Sequence, residues 1–373
     1  MDVHNDFVDF FYPAFEKQGD IIESVILGRC MLRGLVLLAD ETSGTQHIFP
    51  DQIALEALRI AQAVICNHRP EGENTSWGIE WSDEETYFSA LYKGVEFQIT
   101  FHETGNRFEI FRQKTPYGEF YSSYADSTGA FEISPVDLDE GNLMRDSVRL
   151  TTDDVPAEVI RSMPLWKHPD SIQIDDAVKT LQQYFTSNGT VWSFWREWYQ
   201  GFLDGKPLDW ELQRRVALIP DADWEQGPEH IARLIEEIRA RFELEKRIED
   251  LETEKQVWQE RARLGIGGNN PPEAIEDARI VQEIIWAPIE ELKAETQSGT
   301  PDKSRIKSAI SKLGAALIAI GKWPLGKLDK AADEFAKSLG KWGGGACAGW
   351  LALNSDKIAE IIKAAQTWLG TLF

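Results

Sequence analysis

Two groupings in this 373-residue chain carry side chains able to do chemistry. Cys66-Asn67-His68 sets a thiol beside an imidazole, the two partners of a thiolate nucleophile. His102-Glu103, with Glu80, Glu84, Glu85, Glu96 and Glu109 nearby, brings together ligand types suited to a divalent metal or to acid–base transfer. Neither grouping demands that chemistry. Neighbouring residues on a helix or turn rarely face each other, and Cys66 follows the apolar run Ala61 to Ile65, so a structural cysteine is the stronger reading. Alternation places Glu80, Glu96 and His102 on the polar sides of strands, which a solvated sheet face produces without any metal. His168 and His230 stand apart from other candidate groups. The loop from Gly265 to Glu273 has the form G-x-G-x-x-N with no following Lys-Ser/Thr, so it reads as a hinge rather than a phosphate cradle. The sequence therefore assigns no catalytic, cofactor-binding or metal residue. It favours a non-enzymatic role, with an enzyme in the N-terminal part as the alternative.

The elements that would position such groups divide the chain in three. Residues 1–150 are expected to form an α+β sensing or partner-binding domain of helices plus an antiparallel meander. Phe7, Phe10, Phe11 and Phe15 open it, and Ile21 to Leu38 reads as a largely buried helix. Asp51 to Ile65 is the clearest helix of this half, with Asp51 placed to cap it. From Ser76 the apolar period becomes two. Trp77, Ile79 and Trp81, then Val95, Phe97, Ile99 and Phe101, then Phe108 and Ile110, mark strands separated by Lys93-Gly94 and Thr104-Gly105-Asn106. Residues 151–170 read as a connector.

Asn188 to Gly227 holds Trp192, Trp195, Trp198, Trp210 and Trp224, five of the 14 tryptophans, in a segment expected over 151–264 as a tryptophan-rich helical connector with a long helix. Trp192, Trp195, Tyr199 and Phe202 keep helical spacing from about Thr190, and Leu208, Leu212, Val216 and Ile219 stripe a second helix after the Asp204-Gly205-Lys206-Pro207 turn. These rings suit either a ligand groove or a compact core. Their helical spacing, with few polar residues on the same side, favours the core.

A long helix is expected from Pro228 to Leu264, with ten acids and eight bases between Glu229 and Arg263. Ile231, Ile235, Ile238 and Phe242 form one seam; Leu244, Ile248, Leu251, Lys255 and Trp258 form another, shifted in register. Such a stripe suits either coiled-coil pairing with a partner helix or packing along its own domain.

The C-terminal module, 271–373, reads as four helices. The first, Glu273 to Thr296, is acidic. The others are striped by Ile306, Ile310, Leu313, Leu317 and Ile320; by Leu325 to Trp342; and by Ile358, Ile361, Ala365, Trp368 and Leu372. Lys303, Lys307, Lys312, Lys322, Lys327, Lys330, Lys337 and Lys341 lie mostly off these stripes. This fits a soluble bundle, or helices lying on an anionic membrane surface.

Here the run from Trp198 to Ala232, WYQGFLDGKPLDWELQRRVALIPDADWEQGPEHIA, and the run RLGIGGNNPPE from Arg263 to Glu273 resemble segments of uncharacterised bacterial modular proteins. In those proteins a variable N-terminal part precedes a tryptophan-rich piece and a helical tail. The resemblance spans Trp192 onward. It implies a reusable C-terminal module and carries no activity or catalytic residue.

Charge narrows the classes further. The net charge is −23, yet residues 303–373 carry ten Lys and one Arg against five acids, or +6, which leaves −29 for residues 1–302. An acidic body disfavours nucleic acid as a partner. Three dispersed cysteines match no zinc or redox spacing and suit a reducing compartment. The acidic N-terminus lacks a signal peptide's basic region. The longest apolar run, Gly343 to Leu353, has eleven residues, four of them glycine, against the roughly 20 of a membrane span. The expectation is a cytoplasmic, peripherally membrane-associated or self-associating assembly or effector component, in a setting such as antiviral defence or toxin action. A purely structural oligomer joined through the long helix is a further alternative.

Overall fold

The computed structural model describes residues 21–35, 51–68, 76–81, 85–92, 95–102, 105–113, 120–126, 156–165, 172–187, 189–263, 282–319 and 353–372. The chain divides into two compact units, Met1–Ile235 and Glu236–Phe373. That boundary falls inside the long helix.

In the first unit, α1 (Ile21–Gly34) and α2 (Asp51–Ile65) pack closely enough that a Cβ on Gly28 would lie 2.8 Å from the Cα of Ile65. The Ser24 hydroxyl donates to the Val64 carbonyl, joining the two helices. Helix α2 ends in a left-handed residue, Asn67 at φ 51°, after which His68 N–H closes back on the Ala63 carbonyl at 2.9 Å. Five strands follow: β1 (Ser76–Trp81), β2 (Glu85–Tyr92), β3 (Val95–His102), β4 (Gly105–Gln113) and β5 (Phe120–Asp126). They pair antiparallel in chain order, with Val95, Phe97 and Ile99 opposite Tyr92, Ala90 and Phe88.

The described residues from 156 onward are mostly helical. Helix α3 (Ala157–Arg161) occupies the expected connector, but it is a packed element, with Ala157, Ile160 and Leu165 fully buried. Leu165 N–H donates to the Phe202 carbonyl at 2.9 Å. Then come α4 (Ile172–Ser187), α5 (Ser193–Leu203), α6 (Trp210–Ala217) and the single turn α7 (Asp221–Trp224). Gly205, at φ 65°, turns the chain between α5 and α6 and lies so close to Pro164 that an added Cβ would sit 2.5 Å from its ring. Asp209 caps α6 by accepting the Glu211 amide at 2.9 Å.

Helix α8 (Pro228–Arg263) runs for 36 residues. At about 100° per residue, Ile231, Ile235, Ile238 and Phe242 line one side of it, while Ala240, Leu244, Ile248 and Leu251 line the opposite side. All eight are buried. The register shift in the sequence is thus a change of buried side within one helix.

In the second unit, Ala240, Leu244, Ile248 and Leu251 join a core with α9 (Ala287–Thr296), α10 (Lys303–Ala319) and α11 (Ser355–Thr371). Ile306, Ile310, Leu313 and Leu317 from α10 enter it, as do Ile358, Ile361, Ala365 and Trp368 from α11. Residues 282–286 form a wide π turn ahead of α9. Pro288 has no N–H to offer the carbonyl four residues back, and widening the turn is one way to accommodate that loss. Among the described residues no helix is long and apolar enough to cross a membrane. The stripe expected over Leu325 to Trp342 and the loop from Gly265 to Glu273 lie outside the described residues.

Candidate functional site

The tryptophan segment closes on itself. Trp192, Trp195, Trp198 and Trp224 are at most 1% exposed, as is Tyr199. Trp195 meets Trp198 edge-on at 5.4 Å and Phe194 edge-on at 5.1 Å, and Trp198 meets Phe202 edge-on at 5.4 Å. Tyr184 and Phe185 of α4 enclose Trp192 at 5.5 and 6.2 Å. The indole N–H of Trp198 donates to Gln213 Oε1 at 2.7 Å, and that of Trp224 to the Ile219 carbonyl at 3.0 Å. Rings packed edge-on or tilted against one another, with the Trp198 and Trp224 N–H groups satisfied from within, build a core. A groove would leave faces open, so the core reading describes these four indoles.

Trp210 is different. It is half-buried, and the Arg161 guanidinium stacks on its ring at 4.0 Å from the centroid. Together with Glu158, Val159, Ser162, Met163 and Pro164 they line an open cleft of about 460 Å³. Two helices supply its parts: α3 and the turn after it form one wall, and the first residue of α6 provides the indole. The wall is held from behind. Arg29 of α1, fully buried, donates to the carbonyls of Ile160 at 3.0 Å, Met163 at 2.8 Å and Pro164 at 2.9 Å. Among the described residues Arg161 itself donates from Nη1 to the Ile65 carbonyl at 3.4 Å. Desolvation pulls its pKa below the ordinary guanidinium value, partly offset by Cys66 and Glu158.

A second charged cluster is structural. Arg59, 4% exposed, pairs with Asp221 and with Glu56 at 3.7 Å, and its guanidinium lies 4.9 Å above the Trp224 ring. It ties α2 to α7.

The groups singled out in the sequence fall as follows. Burial pushes the Cys66 thiol up to about 12, against the opposing charge of Arg161, so at neutral pH it is a protonated thiol and a poor nucleophile. Strand register sets Glu85 opposite His102, and Tyr87 opposite both Glu80 and Thr100. Gln98 pairs with Glu109, and Glu96 with Leu91. The pairing thus gives Glu80, Glu85, Glu96, Glu109 and His102 a common face of the sheet. Among the described residues no group of three metal-ligating side chains converges. Glu84, Glu103 and His168 lie outside the described residues. His230 sits on Asp223, Nε2 to Oδ1 at 2.9 Å, across the start of α8.

The three buried or half-buried arginines escaped the sequence reading. One signal was available for Arg59: Glu56, Arg59 and Gln62 recur every three residues inside an otherwise apolar helix, and all three are buried. Arg29 and Arg161 have no such mark. No protein-family model, curated protein or solved structure matches this chain.

Proposed function

We propose that the chain is a non-catalytic, modular assembly or effector component. In this reading an α+β N-terminal domain of helices and meander senses a ligand or partner. The tryptophan-rich helical part and α8 form a stiff connector, and the C-terminal helical module engages a second copy or an anionic membrane surface. The observation that carries the reading is α8, a continuous helix of 36 residues that begins in the first compact unit, which ends at Ile235, and continues in the second, which starts at Glu236. An element of this kind suits a relay better than a reaction centre.

The stripes of α10 and α11 turn inward, and several of the module's bases are already matched. Lys293 pairs with Glu252 at 2.8 Å, Lys312 with Glu291 at 3.0 Å, Lys357 with Glu254 at 2.8 Å and Arg247 with Glu360 at 2.9 Å. Membrane contact or self-association would then use the exposed Lys307 and Lys363 with the lysines of 320–352, rather than the apolar faces. The test is flotation of the full chain with anionic and neutral vesicles, with solution mass measured beside it. A companion protein carries Lys307, Lys322, Lys327, Lys330 and Lys363 each changed to Glu. Flotation with anionic vesicles that the companion loses supports the membrane form. A solution mass that is a multiple of 42.3 kDa supports assembly. A monomer that does not float sinks the proposal and directs attention to an enzyme in the N-terminal part, starting with His102→Ala.

A further inference from the structure

We propose that the Arg161–Trp210 cleft binds a small carboxylate carrying an apolar or aromatic body. This inference concerns the first unit alone and stands independently of the assembly reading.

The argument starts from what each arginine of this unit has for company. Arg29 is met by three carbonyls and Arg59 by two carboxylates. Arg161 has an indole face and one long bond to a carbonyl, its Nε is buried without a hydrogen-bond partner, and no carboxylate among the described residues forms an ion pair with it. A partly desolvated guanidinium is costly until an anion meets its remaining donors, and it binds carboxylates well because its planar fork matches them. The cleft places that cation beside Met163, Pro164 and Val159, the last 47% exposed, which offer apolar contact to the rest of a ligand.

Size and rigidity agree. A volume of about 460 Å³ suits a small molecule. The three carbonyls gripped by Arg29 fix the wall in advance, so little ordering cost remains for a ligand. Glu158 is the opposing charge. It is exposed whereas Arg161 is half-buried, so a carboxylate is drawn to the inner cation and repelled by the outer acid.

The probe is phenylacetate, with phenylacetamide as its neutral counterpart, titrated into the full chain. Binding is followed calorimetrically and by the indole N–H resonance of Trp210, assigned with Trp210→Phe. We expect saturable binding of phenylacetate, a shift of the Trp210 resonance, and affinity for phenylacetamide lower by about tenfold, the scale of one charge-assisted contact. Arg161→Gln should lower phenylacetate affinity by a similar factor. Because Arg161 also packs on Trp210, Val159→Trp supplies an independent check: it fills the cleft from an exposed position and should abolish binding with the fold intact. Equal affinity for acid and amide, unchanged binding in Val159→Trp, or an unmoved Trp210 resonance would each overturn the proposal.

Discussion

At the scale of single residues, hydrogen-bond partners separate side chains that look alike in the sequence. Trp192 and Trp198 are both fully buried indoles. The N–H of Trp198 donates to Gln213 Oε1, and Gln213 donates onward to the Leu208 carbonyl at 2.7 Å. The N–H of Trp192 has no partner. Replacing either by Phe removes a similar volume. Only Trp198→Phe also leaves a buried amide oxygen unmet, which adds about 1–3 kcal/mol. Chemical denaturation should therefore find Trp198→Phe the more destabilising of the two, and equal losses would refute the hydrogen-bond argument. Cys66 gives a pH prediction. Its folded pKa, about 12, lies above the ordinary 9.0, so the folded state holds the proton more tightly. The associated stability is fully present below pH 9 and is lost as pH rises toward 12. Stability curves of the wild type and Cys66→Ala should draw together over that range, and parallel curves would show that the thiol is not shielded. Spacing rules found Trp192, Trp195, Tyr199 and Phe202, because a helix repeats its faces. They missed Phe194 and Trp198 because α5 is enclosed by neighbouring elements on more than one side, which no single stripe can express.

At the scale of elements, the cap and the stripe were legible to different degrees. The turn at Asp204 to Pro207 was readable from Gly205, whose positive φ the structure retains. The cap of α6 was not, since it depends on the Asp209 carboxylate reaching the Glu211 amide. Asp209→Ala should cost about 1 kcal/mol in thermal or chemical unfolding. The exposed ion pair of Glu211 with Arg214 holds the Glu211 carboxyl down to about 2, yet at the surface its loss should matter less. Both seams of α8 were legible from spacing, down to Lys255, which belongs to the second because its ammonium lies 4.0 Å over the Trp286 ring. What the spacing could not supply was the identity of the cover. Ile248 and Leu251 are the residues a partner helix would need, and they are buried within the chain's own second core. Leu251→Ala should therefore destabilise the protein by about 2–5 kcal/mol, as a core cavity does. A variant that unfolds like the wild type but changes in solution mass would return this stripe to an intermolecular role.

At the scale of the whole molecule, the decisive fact is where cores begin and end relative to the chain. The glycine- and proline-rich run from Gly265 to Glu273 looks like a domain boundary, and a cut near Thr300 looks like a way to remove a self-contained tail. The core of the second unit draws on both sides of that run. It gathers Leu244, Ile248 and Leu251 from before the run with Ile289, Leu292, Leu313, Ile361 and Trp368 from after it. Sequence reading assigns domains by local composition, whereas burial is shared by residues more than 100 positions apart. Trp368 makes the point in one bond, its N–H donating to Glu237 Oε1 at 2.8 Å across 131 residues. A chain ending at Thr300 would lose α10 and α11 and leave the apolar sides of α8 and α9 facing water. Apolar surface of that extent drives association at about 25 cal/mol per Å². The truncated protein should therefore bind a hydrophobic dye, lose part of its cooperative unfolding and gain mass rather than shed it. If it stays monomeric and dye-negative, with the melting of the remainder unchanged, the second core does not hold together as described. Helix α8 would then have to stand without the cover that α10 and α11 give it.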